Sequence, residues 1–189
     1  MPNSMKCLVA ACALAAAATL GAQEAVAPEG GPKVGDLAPD FTLPAATVAG
    51  PSAAPIRLSD LRGRTVVLAF YPRARTRGCT VQMESYRDQY ATLFNGGEGV
   101  TVLAISTDAV TTLAEWAREQ GSPLTFVSDT GAVAGRLYDV KVPAVNVLRR
   151  VLFVIGPDGR VTHVMRPFRE LSADSYTELG EAVKRAAGG

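Results

Sequence analysis

The sequence is short of histidine and cysteine, with one of the former and three of the latter in 189 residues. One histidine excludes a multi-histidine metal site, and three cysteines are too few for a disulfide scaffold. An excess of either charge is lacking too, since 19 Lys and Arg stand against 18 Asp and Glu. That balance argues against a nucleic-acid binder, which needs a basic surface to replace counterions, and against a polybasic membrane-surface protein. The 12 prolines and 18 glycines are scattered, unlike those of a collagenous or low-complexity chain. What is left is a length that suits one domain, or one domain plus a short extra segment, and that can bury a core without staples.

Met1 to Lys6 carries one positive charge, Cys7 to Leu20 is apolar and Ala-rich, and polar residues resume at Gln23. This is the layout of a secretory signal peptide. The apolar stretch is shorter than the about 20 residues a spanning helix needs. Residues 1–22 are therefore read as a signal cleaved after Ala22, with Gly21 or Ala27 as alternative cleavage points. The competing readings are an uncleaved anchor and a lipid anchor on Cys12, which follows Val9-Ala10-Ala11. Residues 23–34 form a flexible lead-in. The mature protein is then exported, to the periplasm or the outside, without stable membrane association. Once Lys6 is removed, 18 basic residues face 18 acidic ones, and Cys79 is the one thiol left. Such a cysteine is either buried and inert or reactive.

Residues 35–188 read as a single α/β domain. Ala38 to Leu43 is a short extended segment, and 44–56, rich in Pro, Gly, Ala and Ser, is a loop. Thr65 to Tyr71 is an apolar, β-branched run, expected as a central strand buried on both faces and ended by Pro72. Cys79, Met83, Tyr86, Tyr90 and Leu93 share one face of a helix stopped by Asn95-Gly96-Gly97. A strand over 100–105, a helix over 110–120, a strand over 124–127 and a helix over 132–138 follow. Val151–Ile155 and Val161–Val164 flank Gly156-Pro157-Asp158-Gly159 as a hairpin. Ser172 starts a last helix running to about Ala186. Alternating strands and helices give a parallel sheet, to which the hairpin adds antiparallel strands. The order matches a thioredoxin-like fold, a central mixed sheet flanked by helices.

Chemistry in open α/β sheets sits beyond the carboxyl ends of strands. The loop after the 65–71 strand is such a place, and Cys79 follows it at a helix start. Unpaired N–H groups and the partial positive charge there favour a thiolate over a thiol. Arg73, Arg75 and Arg77 crowd the loop and act in the same direction. Trp116 is expected in the core, His163 at a surface or sheet edge, and Tyr86 and Tyr90 in helix packing.

Phe70 to Thr80 carries Pro72, Thr76 and Cys79 in the Pro-x-x-x-Thr-x-x-Cys order, and in this it resembles the peroxiredoxin family. Ser85-Tyr86-Arg87-Asp88 and Gly35 to Leu43 are similar to the bacterioferritin-comigratory, or peroxiredoxin Q, subgroup. Arg150 to Ile155 with Asp158-Gly159 is similar to the segment bearing that family's second-site arginine. The resemblance implies a thiol-dependent peroxidase acting on hydrogen peroxide or organic hydroperoxides. It implies Cys79 as nucleophile, Arg150 as fixed cation, Thr76 as hydroxyl partner of the peroxide and Pro72 as shield of the sulfur. It implies no metal, haem, flavin or nucleotide. The partners it implies are a peroxide and an external thiol, carried by a thioredoxin-like protein or a small molecule, in a monomer or homodimer. Arg149 and Arg150 face opposite ways on an extended strand, and the alignment with Phe153-Val154-Ile155 selects Arg150.

Two positions depart from the family pattern. Glu84 stands where many subgroup members have a second cysteine, so the resolving thiol must come from outside, in a 1-Cys cycle. Gln82 stands where the family commonly has Glu, and a neutral amide holds the arginine less strongly than a carboxylate. Two rival functions remain. A thiol–disulfide oxidoreductase of the same fold would want Cys-x-x-Cys, and Thr76 occupies the first of those positions. A non-catalytic redoxin-like binding scaffold would keep the fold and lose the chemistry.

Overall fold

The computed structural model describes residues 30–188. The signal expected over 1–22, with Cys7 and Cys12, lies outside them. The strands are β1 (Thr42–Leu43), β2 (Ala45–Thr47), β3 (Gly50–Pro51), β4 (Ile56–Arg57), β5 (Thr65–Phe70), β6 (Val100–Ser106), β7 (Thr125–Ser128), β8 (Val151–Ile155) and β9 (Val161–Met165). The helices are α1 (Arg77–Asp88), α2 (Tyr90–Phe94), α3 (Val110–Gln120), α4 (Val133–Leu137) and α5 (Ala173–Ala187). No helix among the described residues is long and apolar enough to cross a membrane.

Seven strands form one sheet in the order β3-β2-β7-β6-β5-β8-β9. β5, β6 and β7 are parallel neighbours, and β8, β9, β2 and β3 add antiparallel pairs at the two sides. All six residues of β5 are buried, as its unbroken apolar run requires for a strand covered on both faces. Alternation sends Val67 and Ala69 to one face, where they meet Met83, Leu113, Trp116 and Leu179 from α1, α3 and α5. Val66, Leu68 and Phe70 face the other way, onto Phe41, Leu58, Tyr138 and Leu148.

The structure departs from the sequence reading in three places. The expected loop 44–56 contains β2, β3 and part of β4, because Ala45 and Ala46 pair with Val127 and Phe126 at the sheet edge. The single helix expected from Cys79 to Leu93 is two. It starts at Arg77, breaks at Gln89 (φ −106°, ψ 18°) and resumes at Tyr90, while Tyr86 and Phe94 still pack edge to face across the break. The packed chain also begins before 35: Gly31 and Pro32 are buried, and Gly31, at φ +74°, lies against the Tyr138 carbonyl where no Cβ would fit. Trp116 is buried, and His163 is partly exposed on β9 with its ring 2.8 Å from Glu178.

Candidate active site

β5 ends at Phe70, and the chain crosses the carboxyl end of the sheet before α1 begins at Arg77. Asp108, just beyond β6, fixes this crossing: its carboxylate accepts from the Ala74 N–H at 2.8 Å and from Ser106 Oγ at 2.8 Å. Arg75 sits at φ 61° and turns its side chain away to α3, where Glu119 and Glu115 receive it at 2.6 and 3.4 Å. Its charge is spent there, contrary to the expectation that all three loop arginines support the sulfur. Arg73 and Arg77 are exposed.

Cys79 is the third residue of α1 and has no exposed surface. Its N–H belongs to the first turn, whose amides have no acceptor within the helix. The Arg150 guanidinium meets it from the start of β8, with Nη2 donating to Sγ at 3.5 Å. The remaining nitrogens of Arg150 are occupied. Nη1 donates to Gln82 Oε1, and Nε lies 3.1 Å from Glu170 Oε2. Gln82 in turn donates to the Tyr86 hydroxyl at 2.9 Å. Burial pushes Tyr86 far up, so it stays neutral. Arg149, on the alternate side of the strand, is exposed and makes no side-chain bond among the described residues.

Thr76 is at the N-cap position of α1, but its hydroxyl bonds to no helix amide. It donates instead to the Arg73 carbonyl at 3.0 Å, which leaves the oxygen free to accept. Pro72 is half-buried directly after Tyr71. Sequence and structure thus bring Cys79 and Arg150 into contact, and set Thr76 one turn before the sulfur without a bond to it.

Glu170 is the residue that sequence reasoning missed. It lies between β9 and α5, with no motif around it. The main chain nonetheless holds it in place: Phe168 N–H donates to the Arg150 carbonyl at 3.0 Å, and Tyr176 Oη donates to the Glu170 carbonyl at 2.8 Å. A Cβ on Gly78 would strike Glu170 Oε1 and lie 3.1 Å from Arg150 Nη2, so glycine there makes room for the pair. Asp108 was missed as well, although its place after a central strand was a usable signal.

Residues 34–164 match the model of the AhpC/TSA family. The chain belongs to the AhpC/TSA family. It is a peroxiredoxin, similar to peroxiredoxin Bcp of Escherichia coli (strain K12), with 33% identity over 150 residues covering 72% of this chain and 87% of that one. A thiol peroxidase of Halalkalibacterium halodurans is 28% identical over 156 residues, 82% of this chain and 89% of its own. Among solved structures, peroxidoxin BcpB from Mycobacterium tuberculosis superposes with a TM-score of 0.69 at 29% identity, covering 82% of this chain and 97% of its own. These relatives agree with the thioredoxin-like peroxiredoxin fold and with the bacterioferritin-comigratory subgroup read from the motifs.

Proposed function

We propose that this peroxiredoxin is exported and reduces hydrogen peroxide or organic hydroperoxides through Cys79 alone, in a 1-Cys cycle completed by an external thiol. The observation that carries the reading is the Arg150 donor at 3.5 Å from Sγ, on a cysteine in the first turn of a helix. The Cys79 thiolate attacks one peroxide oxygen, the O–O bond breaks, and the other oxygen leaves as hydroxide or alkoxide and takes up a proton. Negative charge travels from sulfur to the leaving oxygen, and fixed donors along that line lower the barrier. Arg150 supplies them from a planar, permanently charged fork. The Thr76 oxygen accepts from the peroxide O–H, the first-turn amides face the developing charge, and Pro72 limits water.

The product at Cys79 is a sulfenic acid. It condenses with an external thiol, releasing water and leaving a mixed disulfide, and a second thiol frees Cys79. The support for this second half is the sequence: Glu84 holds the position of a local resolving cysteine, and Cys7 and Cys12 lie in the segment read as the signal. Cleavage after Ala22 places the enzyme outside the cytoplasm, as a monomer or homodimer.

Intact-mass analysis of protein recovered from the exported fraction, before and after peroxide, tests the whole reading. The expected species starts near Gln23 and gains one oxygen at Cys79, then a second when reductant is withheld. A chain that retains Cys7 or Cys12 and loses two hydrogens to a disulfide with Cys79 would replace the 1-Cys cycle with a two-cysteine one. Undiminished peroxide consumption by Cys79→Ser would remove the peroxidase assignment itself.

A further inference from the structure

The guanidinium of Arg150 is planar, so whatever holds its other two nitrogens sets the direction of Nη2. One of them is held by Gln82, a neutral amide, and the other by Glu170, across a gap of 3.1 Å in a pair whose side chains are 13% and 23% exposed. At that exposure the pair is partly buried, and salt screens it less than a surface pair. Glu170 is also the only carboxylate in ion-pair contact with Arg150 among the described residues. The Gln82 bond is charged on the donor side alone, whereas the Glu170 pair is charged on both sides, so Glu170 adds an ion-pair attraction to the orientation of the fork that Gln82 lacks.

Three further contacts indicate that Glu170 is built into the site rather than passing by it. Tyr176, from α5, donates to the Glu170 carbonyl. Phe168, two residues earlier, donates its N–H to the Arg150 carbonyl and stacks edge to face on Tyr176 at 5.2 Å. Gly78, next to the nucleophile, leaves open the space that Glu170 Oε1 fills. The segment between β9 and α5 thus reaches Arg150 through both main chain and side chain.

We infer that Glu170 is a positioning residue for peroxide reduction: it holds Arg150 Nε, which aims Nη2 at the Cys79 sulfur and at the oxygen being attacked. The inference rests on the peroxidase reading above. It assigns the orienting carboxylate to the segment before α5, on the opposite side of the guanidinium from position 82. The role is in the alignment of the guanidinium, since its charge persists whether or not Glu170 is present.

The experiment compares two reactions of the same sulfur in the full mature protein. Peroxide oxidation needs an aligned donor in the transition state, whereas iodoacetamide alkylation needs only an accessible thiolate. Glu170→Gln keeps the shape and removes the charge. It is expected to slow oxidation by hydrogen peroxide about tenfold or more, while alkylation changes by less than about threefold. Gln82→Glu introduced into Glu170→Gln supplies a carboxylate to the neighbouring nitrogen of the same fork. It is expected to recover most of the oxidation rate. The inference is overturned if Glu170→Gln oxidises as fast as the wild type. It is overturned equally if both reactions fall by one common factor, which would report a loosened fold, or if the double variant gains nothing. A wild type that is itself inert to peroxide would strike the peroxidase reading instead, so the two failures are distinct.

Discussion

Arg150→Ala removes the donor at the sulfur, and the structure sets the size of the effect. The lost contact is the Nη2 to Sγ bond of 3.5 Å, in a place where the nucleophile has no exposed surface and water cannot substitute. Loss of one fixed donor to transition-state charge costs about 2.7–4 kcal/mol, which is roughly 100- to 900-fold in rate. The fold should survive. Glu170 loses its partner, but at 23% exposure water reaches it, and the destabilisation falls below the about 3–5 kcal/mol of a fully buried broken pair. Arg150→Lys keeps the charge but has one nitrogen where three are used, so its rate should lie between alanine and wild type. Arg149→Ala is the internal control, because its side chain is exposed and points to the other side of the strand. Rapid-mixing oxidation of Cys79, quenched by alkylation and read by mass, gives all four rates, and a thermal melt checks the fold. An Arg150→Ala rate within about threefold of wild type would refute the argument, given the energies above. So would an equal loss at Arg149.

Gly78→Ala should disturb the Glu170–Arg150 pair, since the added methyl strikes Glu170 Oε1 and crowds Arg150 Nη2 at 3.1 Å. Peroxide oxidation should drop with little change in the melting temperature, and an unchanged rate would mean that the pair is not needed in its present place. Asp108→Ala frees the Ala74 N–H and the Ser106 hydroxyl. Hydrogen exchange across 72–76 should accelerate, and unaltered protection there would show that Asp108 does not hold the crossing. Tyr71→Phe deletes a buried hydroxyl that lies beside Ser106 but makes no hydrogen bond of normal geometry. Stability should be equal or higher, because the desolvation cost of about 1–3 kcal/mol for an unpaired polar group disappears. A clear fall in melting temperature would reveal a bond that the geometry does not account for.

The sequence was informative where one chain segment determined its own environment. β5 was legible because an unbroken apolar run has no other place to go than a sheet centre. Cys79 and Arg150 were legible through motif spacing. The break at Gln89 was not, because Met83, Tyr86, Tyr90 and Leu93 keep helical spacing across it, and periodicity does not register one altered backbone angle. Arg75 was misread since a loop sequence gives the number of charges but not their direction. A single left-handed residue sends this one to Glu115 and Glu119. β2 and β3 were missed because alanine and glycine carry no strand signal, and it is β7 that recruits β2, which in turn pairs with β3. Glu170 depends on the packing of the segment after β9 against β8, a relation that no local pattern encodes.

The burial of Cys79 makes the two halves of the cycle unequal in reach. Hydrogen peroxide is barely larger than water. In the proposed 1-Cys cycle, a thiol carried by another molecule must bring its own sulfur to about 2 Å from an Sγ that has no exposed surface. On that reading, local opening around Cys79 would limit recycling more than oxidation. When peroxide arrives slowly, the protein works as a catalyst. If it arrives in a burst, the same reading has a second oxidant reaching the waiting sulfenic acid before any reductant does, so that each molecule would serve once.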